Sequence, residues 1–480
     1  MYDVRKILII ALCSLFFIEG KAQDQQLLSS RDIMGTARFV GMAGAMTAVG
    51  GDPSAVIQNP AGLGVYRRLE TMISFDIQLD YTRQFSESKS TFSGYFIPSQ
   101  VSAVFSLIND NKTSGVIGHN FMISYNRLKN WHRTYNASGV TTADRSLAQW
   151  MERDAYRAAG GRLTHEDMNN EFWYDDADIS WLTQMGYQNY MIDDPDSVGS
   201  MSSQVNPNQN MGHAIRVQES GYTNEFALNW AMNIDNRYFV GLGLGIMTMY
   251  HLRYADYAES FEDGTNMVES NYTRWNGVGV NGSIGLIAHP IRCLRIGVSF
   301  TTPSLYSMKI RNQGKMEYEA TESYITPENI YKDSHFTTPL RSSVGVAYQL
   351  KDKGLVSVQY DYAHHKDMFD VHTLRVGTEW RIKEKWYLNA GYAIESMFRS
   401  TNYVYPLPHG SVRTDTDWMA FNWRQHASVA AGYRGTYLIA QVAYQCGWDK
   451  GALYAHEALD AYDMRDITHR IVLSFAFHTR

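Results

Sequence analysis

Ile73-Ser74-Phe75-Asp76-Ile77-Gln78-Leu79-Asp80-Tyr81 alternates apolar and polar side chains without a break. A period of two places all the apolar residues on one face of a β-strand and all the polar ones on the other. The pattern returns at the far end of the chain, where Ile467, His469, Ile471, Leu473, Phe475 and Phe477 share a face. Working outward from these segments, the same periodicity predicts fourteen strands, at 71–83, 95–108, 115–127, 215–233, 237–256, 270–288, 293–309, 341–350, 354–363, 371–382, 386–397, 425–433, 436–446 and 466–478.

The connections alternate as well. Short turns at 109–114, 234–236, 289–292, 351–353, 383–385 and 434–435 separate long loops at 84–94, 128–214, 257–269, 310–340, 364–370, 398–424 and 447–465. An even strand number, with short turns at one end and long loops at the other, is the pattern of a transmembrane antiparallel β-barrel. Closure pairs the backbone groups that lipid cannot satisfy. A sandwich or propeller would show a repeated blade, and no repeat of fixed period occurs. Tyr81, Tyr125, Tyr222, Tyr238, Tyr250, Tyr254, Trp380, Trp386 and Tyr437 gather near strand ends, as interfacial girdles do.

Composition excludes other classes. The 480 residues carry a net charge of -6, with 19% charged and 44% hydrophobic side chains. Low charge and a full aromatic complement argue against disorder, and the acidic balance argues against a nucleic-acid binder. The one apolar run, Ile7 to Ile18, is too short for a transmembrane helix. The mean hydropathy of -0.34 fits a barrel, whose lumen face is polar.

The expected organisation is a signal peptide over 1–22, a hatch or plug over 23–70 and a barrel over 71–480, with an extracellular helical acidic cap at 128–214. Arg5 and Lys6, the apolar run and Gly20-Lys21-Ala22 compose the signal. Cleavage before Gln23 leaves Cys293 and Cys446, which the strand map puts at opposite ends of the barrel, so two free thiols are expected. In the hatch, Asp52-Pro53 starts a helix that Pro60 stops. In the cap, Leu147, Trp150, Met151, Ala155 and Ala158 recur on one face of a helix over 141–161, and Thr164 opens a second helix running through Leu182.

Gly35-Thr36-Ala37-Arg38, Gly41-Met42-Ala43-Gly44-Ala45, Gly51-Asp52-Pro53-Ser54-Ala55 and Asn59-Pro60-Ala61-Gly62-Leu63 occur in this order. Together they resemble the N-terminal hatch of the FadL/TodX family of outer-membrane channels, which carry long-chain fatty acids or aromatic hydrocarbons. The resemblance implies a fourteen-stranded barrel with the hatch in its lumen and passive uptake of hydrophobic small molecules across the bacterial outer membrane. It also implies a hatch motif at Asn59, Pro60 and Ala61 that anchors the plug to the wall. Phe39, Met42, Met46 and Val49 are the expected ligand-binding side chains. Gly118, His119 and Asn120 are expected to form a lateral portal, because family members bend the corresponding strand and a strand glycine permits a bulge.

Candidate chemistry is otherwise sparse. Asp175, Asp176 and Asp178, with Asp193, Asp194 and Asp196, match no calcium-loop spacing and read as a solvated acidic surface. His364-His365 could ligate haem in a haemin-uptake protein, but lies in a polar loop. No nucleophile elbow, metalloprotease motif or phosphate loop occurs. The expectation is therefore no enzyme, no cofactor, no metal and no nucleic acid. Expected partners are a hydrophobic ligand and membrane lipid. A protein partner at the acidic cap, as in a type IX secretion shuttle related to this family, is the alternative.

Overall fold

Ile73 to Tyr81 lies within β1 (Glu70–Gln84), where Ser74, Asp76, Gln78 and Asp80 point into the lumen and are buried while the alternating apolar residues face outward. The computed structural model describes residues 28–84, 90–108, 114–158, 165–168, 179–194, 200–318, 323–325, 330–365, 369–398 and 414–479. The expected signal segment lies outside the described residues.

Thirteen further wall strands follow. They are β2 (Ser90–Ile108), β3 (Val116–Asn130), β4 (Asn210–Ile234), β5 (Tyr238–Phe261) and β6 (Asn266–Ile291). Next come β7, in two segments (Leu294–Thr301 and Leu305–Tyr318), and β8, also in two (Ile330–Thr337 and Leu340–Gln349). The wall ends with β9 (Gly354–His365), β10 (Phe369–Lys383), β11 (Trp386–Phe398), β12 (Trp418–Arg434), β13 (Leu438–Tyr454) and β14 (Tyr462–His478). β1 pairs with β14 from Glu70↔His478 to Gln84↔Met464, which closes a fourteen-stranded antiparallel transmembrane barrel. Among the described residues, the turns at 234–236, 351–353, 383–385 and 434–435 are short, as expected. Asp235 and Asn236 both take positive φ between β4 and β5, as a two-residue hairpin requires. Cys293 and Cys446 are free.

The strands reach further than the sequence pattern suggests. The expected loop 310–340 contains the upper part of β7 paired with β8, from Leu305↔Thr337 to Asn312↔Ile330. In that part Tyr306, Met308 and Ile310 are buried inside, and Ser307 and Lys309 face out. Polarity is thus inverted relative to β1, because these residues stand clear of the bilayer and line a filled interior. The stretch 128–214 likewise begins and ends in wall: Arg133–Thr142 pairs with β4 from Arg133↔Glu219 to Thr142↔Asn210.

Among the described residues, three α-helices lie between these wall segments: α3 (Leu147–Ala158), α4 (His165–Met168) and α5 (Trp181–Gln188). The helix expected from 141 starts later, because Thr141 and Thr142 are held in the wall ladder. α5 has its own start, with the Ser180 side chain accepting from the Thr183 N–H, and is not a continuation of a helix from Thr164. Thr164 and residues 169–178 lie outside the described residues. The helices pack Leu147, Met151, Met168, Leu182 and Met185 against Met211, Met267, Met316 and Met464 of the wall, which forms an apolar core at the long-loop end.

Candidate functional site: a bolted hatch and the cavity above it

The hatch contains two short helices, α1 (Ala37–Gly41) and α2 (Pro53–Gln58), and a 3-10 helix (Pro60–Val65). One carboxylate links the first two. Asp52 accepts from the Ser54 N–H at 2.9 Å to cap α2, and its other oxygen accepts from the Thr36 hydroxyl at 2.7 Å. The Thr36 oxygen in turn accepts from the Phe39 N–H at 3.1 Å to cap α1. Burial pushes the Asp52 carboxyl above its usual range, against Arg38 and the capping bonds, which pull it down.

So little regular structure leaves many backbone groups without partners, and a buried backbone group must find one. The lumen face of the wall supplies them. Ser474 accepts from the Ala37 N–H at 2.7 Å, and Gln359 accepts from the Thr47 N–H at 2.9 Å. Ser428 donates to the Gly41 carbonyl at 3.2 Å, Arg375 to Ala43 at 3.1 Å and Arg295 to Val49 at 2.9 Å. Arg38 reaches the other way, to Glu379 at 2.6 Å.

Asn59, Pro60 and Ala61 lie where the hatch presses hardest on the wall. Asn59 Nδ2 donates to the Thr47 carbonyl at 2.8 Å, and Oδ1 accepts from the Ala61 N–H at 3.1 Å. The wall opposite is glycine by necessity: a Cβ on Gly285 would lie 1.8 Å from Asn59 Oδ1, and one on Gly241 would lie 2.3 Å from the Pro60 carbonyl carbon. Gly297 and Gly391 meet Thr47 and Met42 in the same way.

The four expected ligand-binding side chains do come together. Phe39, Met42, Met46 and Val49 join one apolar cluster with Ala347, Ala393, Ala430 and Ala443 of the wall. Met42 and Met46 are fully buried there as packing, and Val49 lines a separate recess toward the short-turn end. Only Phe39 reaches the cavity on the long-loop side of the hatch.

That cavity holds about 160 Å³. Its lining is mixed: Ile33, Met34, Phe39 and Ile57 of the hatch and Leu128 and Val371 of the wall are apolar, and Arg31, Arg127, Arg341 and Arg375 with Asp32, Asp361 and Glu395 are charged. Most of these charges are already engaged. Arg375 pairs with Asp361 at 2.6 Å. Asp32 receives Lys129 at 2.7 Å, Arg424 at 3.3 Å and Arg470 at 3.8 Å. Burial by itself would raise the Asp32 carboxyl, but Lys129, Arg424, Arg470 and Arg133 together hold it well below the ordinary carboxylate range. Arg341 donates to the Ser29 carbonyl at 2.6 Å and keeps a buried, unpartnered Nε. Arg31 makes no ion pair among the described residues. Sequence reasoning missed Arg31 and Arg341, because they are far apart in the chain and neither belongs to a motif.

The expected portal at Gly118, His119 and Asn120 is closed in this structure. All three pair on both sides, with Ile108, Leu107 and Ser106 of β2 and with Asn233, Met232 and Ala231 of β4. The irregularity in β3 is a bulge between Val116 and Gly118, which turns Ile117 inward and puts His119 on the outer face, stacked on Trp230. Asn120 points inward and donates to the Leu63 and Tyr66 carbonyls at 2.7 and 3.0 Å, so it is another bolt of the hatch. His364 is engaged with Asp370 at 2.8 Å on the exposed rim. Asp175, Asp176, Asp178 and Asp196 lie outside the described residues, which themselves contain no cluster of three metal-ligating side chains.

A closed barrel with an apolar outer face, a polar inner face and its N-terminal segment packed in the lumen is a plugged transmembrane β-barrel. No family model and no curated protein matches the sequence. Solved structures of this architecture do match. A FadL homologue of Pseudomonas aeruginosa superposes at TM-score 0.53 with 12% identity, over 93% of this chain and 98% of that one. The toluene transporter TodX of P. putida gives TM-score 0.52 at 10% identity, over 94% and 99%. The CymD monoaromatic hydrocarbon channel gives 0.51 at 9%, over 94% and 99%. At such identities the likeness is one of fold.

Proposed function

We propose that this protein is a passive bacterial outer-membrane channel for hydrophobic small molecules, with the hatch as its gate and long-chain fatty acids or similar amphiphiles as its cargo. The observation that carries the reading is the mixed apolar and cationic lining of the cavity at the hatch. Ile33, Met34, Phe39 and Leu128 offer an apolar surface, and Arg31 and Arg341 offer cationic donors beside it. A long apolar chain with an anionic head meets both surfaces at once. The sequence resemblance of residues 35–63 to the FadL/TodX hatch and the shared fold support the same class. In an outer membrane the short turns face the periplasm and the long loops face outside, so ligand arrives through the cap side.

The test is binding of a fluorescent long-chain fatty acid to the purified protein in detergent, with toluene as competitor. Saturable binding is expected, weakened about tenfold by Arg31→Gln together with Arg341→Gln through loss of charge-assisted bonds. Toluene displacing the probe with no effect of the arginines would assign the cargo to uncharged hydrocarbons. No binding of either compound would end the channel reading.

A further inference from the structure

We propose that the short-turn mouth of the barrel is a docking site for an acidic peptide segment of a periplasmic partner. The site lies on the other side of the hatch from the cargo cavity and does not depend on what the cargo is. The six short turns carry seven Lys or Arg against four Asp or Glu, although the whole chain has a net charge of -6. Charge is therefore sorted along the barrel, and the end that faces the periplasm in an outer membrane is the cationic one. Such a face concentrates and steers anions. Within it the hatch closes off a recess of about 290 Å³. Val49, Gly50, Gly51 and Val65 of the hatch line one side, and Arg295 of β7, Arg381 of β10 and Arg434 of β12 line the other.

The carboxylates of the recess do not neutralise these arginines. Glu379 is taken by Arg38 at 2.6 Å and by the Asn389 side chain at 3.3 Å, and Asp352 stands on a turn between Lys351 and Lys353. Among the described residues none of the three arginines makes an ion pair. Arg295 donates to the Val49 carbonyl at 2.9 Å and to the Gln349 side chain at 3.4 Å. Arg381 and Arg434 lie over the Tyr387 ring, at 5.6 and 4.9 Å from its centre. Stacking on a ring face uses no N–H donor, so Tyr387 fixes both guanidiniums and leaves them donors for an anion. Ile296, Trp380 and Ile382 beside them are exposed on the outer face, so the arginines point into the mouth and not at bilayer headgroups. An adjoining recess of about 240 Å³ shares Arg38, Gly51, Val65 and Arg434 and adds Arg67 and Arg68. Its carboxylates are Asp52, which caps α2, and Glu70. A single small anion fills one of these hollows. An extended acidic peptide, whose side chains on one face stand about 7 Å apart, reaches both, with Arg434 at the join.

A labelled peptide tests the mouth. The probe is fluorescein-labelled hexaglutamate, with hexaglutamine as its uncharged control, added to the protein in phosphatidylcholine nanodiscs and read by fluorescence anisotropy. Arg381→Gln with Arg434→Gln removes two charges from the recess. Lys383→Gln with Lys385→Gln removes two from the neighbouring turn, outside it. Saturable binding of hexaglutamate and none of hexaglutamine is expected, weakened about tenfold by the arginine pair and less than about twofold by the lysine pair. Equal losses from the two pairs would make the attraction a diffuse property of the whole face and overturn the proposal, as would no binding. Displacement by inorganic phosphate, or by dihexanoylphosphatidylglycerol, at the peptide's own concentration assigns the mouth to a small anion or to a lipid headgroup and also overturns it. Both pairs are exposed, so each variant should keep the heat-modifiable gel migration of a folded barrel. Arg434→Gln alone, with an expected loss of about threefold, carries the comparison if the arginine pair does not. Hexaglutamate binding without fatty-acid binding by the same protein would remove the channel reading and leave the docking site standing.

Discussion

The hatch and the cap both fill the same barrel, and opposite chemistry holds them. The hatch has one apolar cluster, Phe39, Met42 and Met46 against wall alanines, and its backbone is bolted by Ser474, Gln359, Ser428, Arg375 and Asn120 of the wall. The cap is a methionine-rich apolar core in which Met151, Leu182 and Met185 meet Met211 and Met267 of an apolar wall. The wall inverts its polarity to suit: β1 is polar inside at Asp76 and Gln78, whereas upper β7 is apolar inside at Met316 and Tyr318, which join the cap core. Hydrogen bonds are directional and exchangeable, and water entering the lumen can replace each of them at small net cost. Apolar burial has no such substitute. Under the proposed gating, the difference makes the hatch the part that shifts and the cap the part that stays.

The largest test of this contrast is deletion. Removing residues 23–62 should leave a persistently conducting pore in planar bilayers, and removing residues 147–188 should not, because the hatch still closes the lumen. A leak from the cap deletion alone would break the comparison.

Asp32→Asn should have the next largest effect. It leaves Lys129, Arg424 and Arg470 facing one another without their shared anion, a loss of about 3–5 kcal/mol for a buried pair, and should raise the rate of spontaneous openings. Its pH signature follows from the lowered pKa. The Asp32 contribution is complete above its unfolded value of 3.8 and is lost only as pH falls through the still lower folded value. Gating by the wild type should therefore be flat with pH from about 5 to 8 as far as Asp32 is concerned, and the Asn variant should open more at every pH in that window.

Leu182→Ala removes a fully buried cap side chain and should cost about 2–4 kcal/mol, read as earlier proteolysis of the cap with conductance unchanged. Thr36→Ala, which removes the α1 cap and the bond to Asp52, should cost about 1 kcal/mol and raise open probability only slightly. Equal effects of Leu182→Ala and Thr36→Ala on conductance would erase the distinction between the two fillings.

Much of the hatch was legible because its signals are local. Asp52-Pro53 is a helix start and Asn59-Pro60 a helix stop wherever they occur, and both are used so here. The wall glycines that receive the hatch, Gly241, Gly285 and Gly297, fall on the inward face of their strands. Gly118, His119 and Asn120 stand in intact ladders here. The bulge between Val116 and Gly118 turns only Ile117 inward, while His119, Phe121 and Ile123 stay on the outer face that the alternation predicts. The upper strands were read as loops because the alternation there runs against the lipid-facing rule.

The sequence by itself determined fourteen strands, their short-turn and long-loop ends and the hatch helix that starts at Asp52-Pro53. Each of these follows from periodicity or turn chemistry within a few residues. Only the tertiary structure decided that Arg31 meets Arg341, that Asp32 gathers Lys129, Arg424 and Arg470, and that Arg295 and Arg434 share one recess beneath the hatch. Those juxtapositions depend on register and closure around the whole barrel, which no local pattern contains.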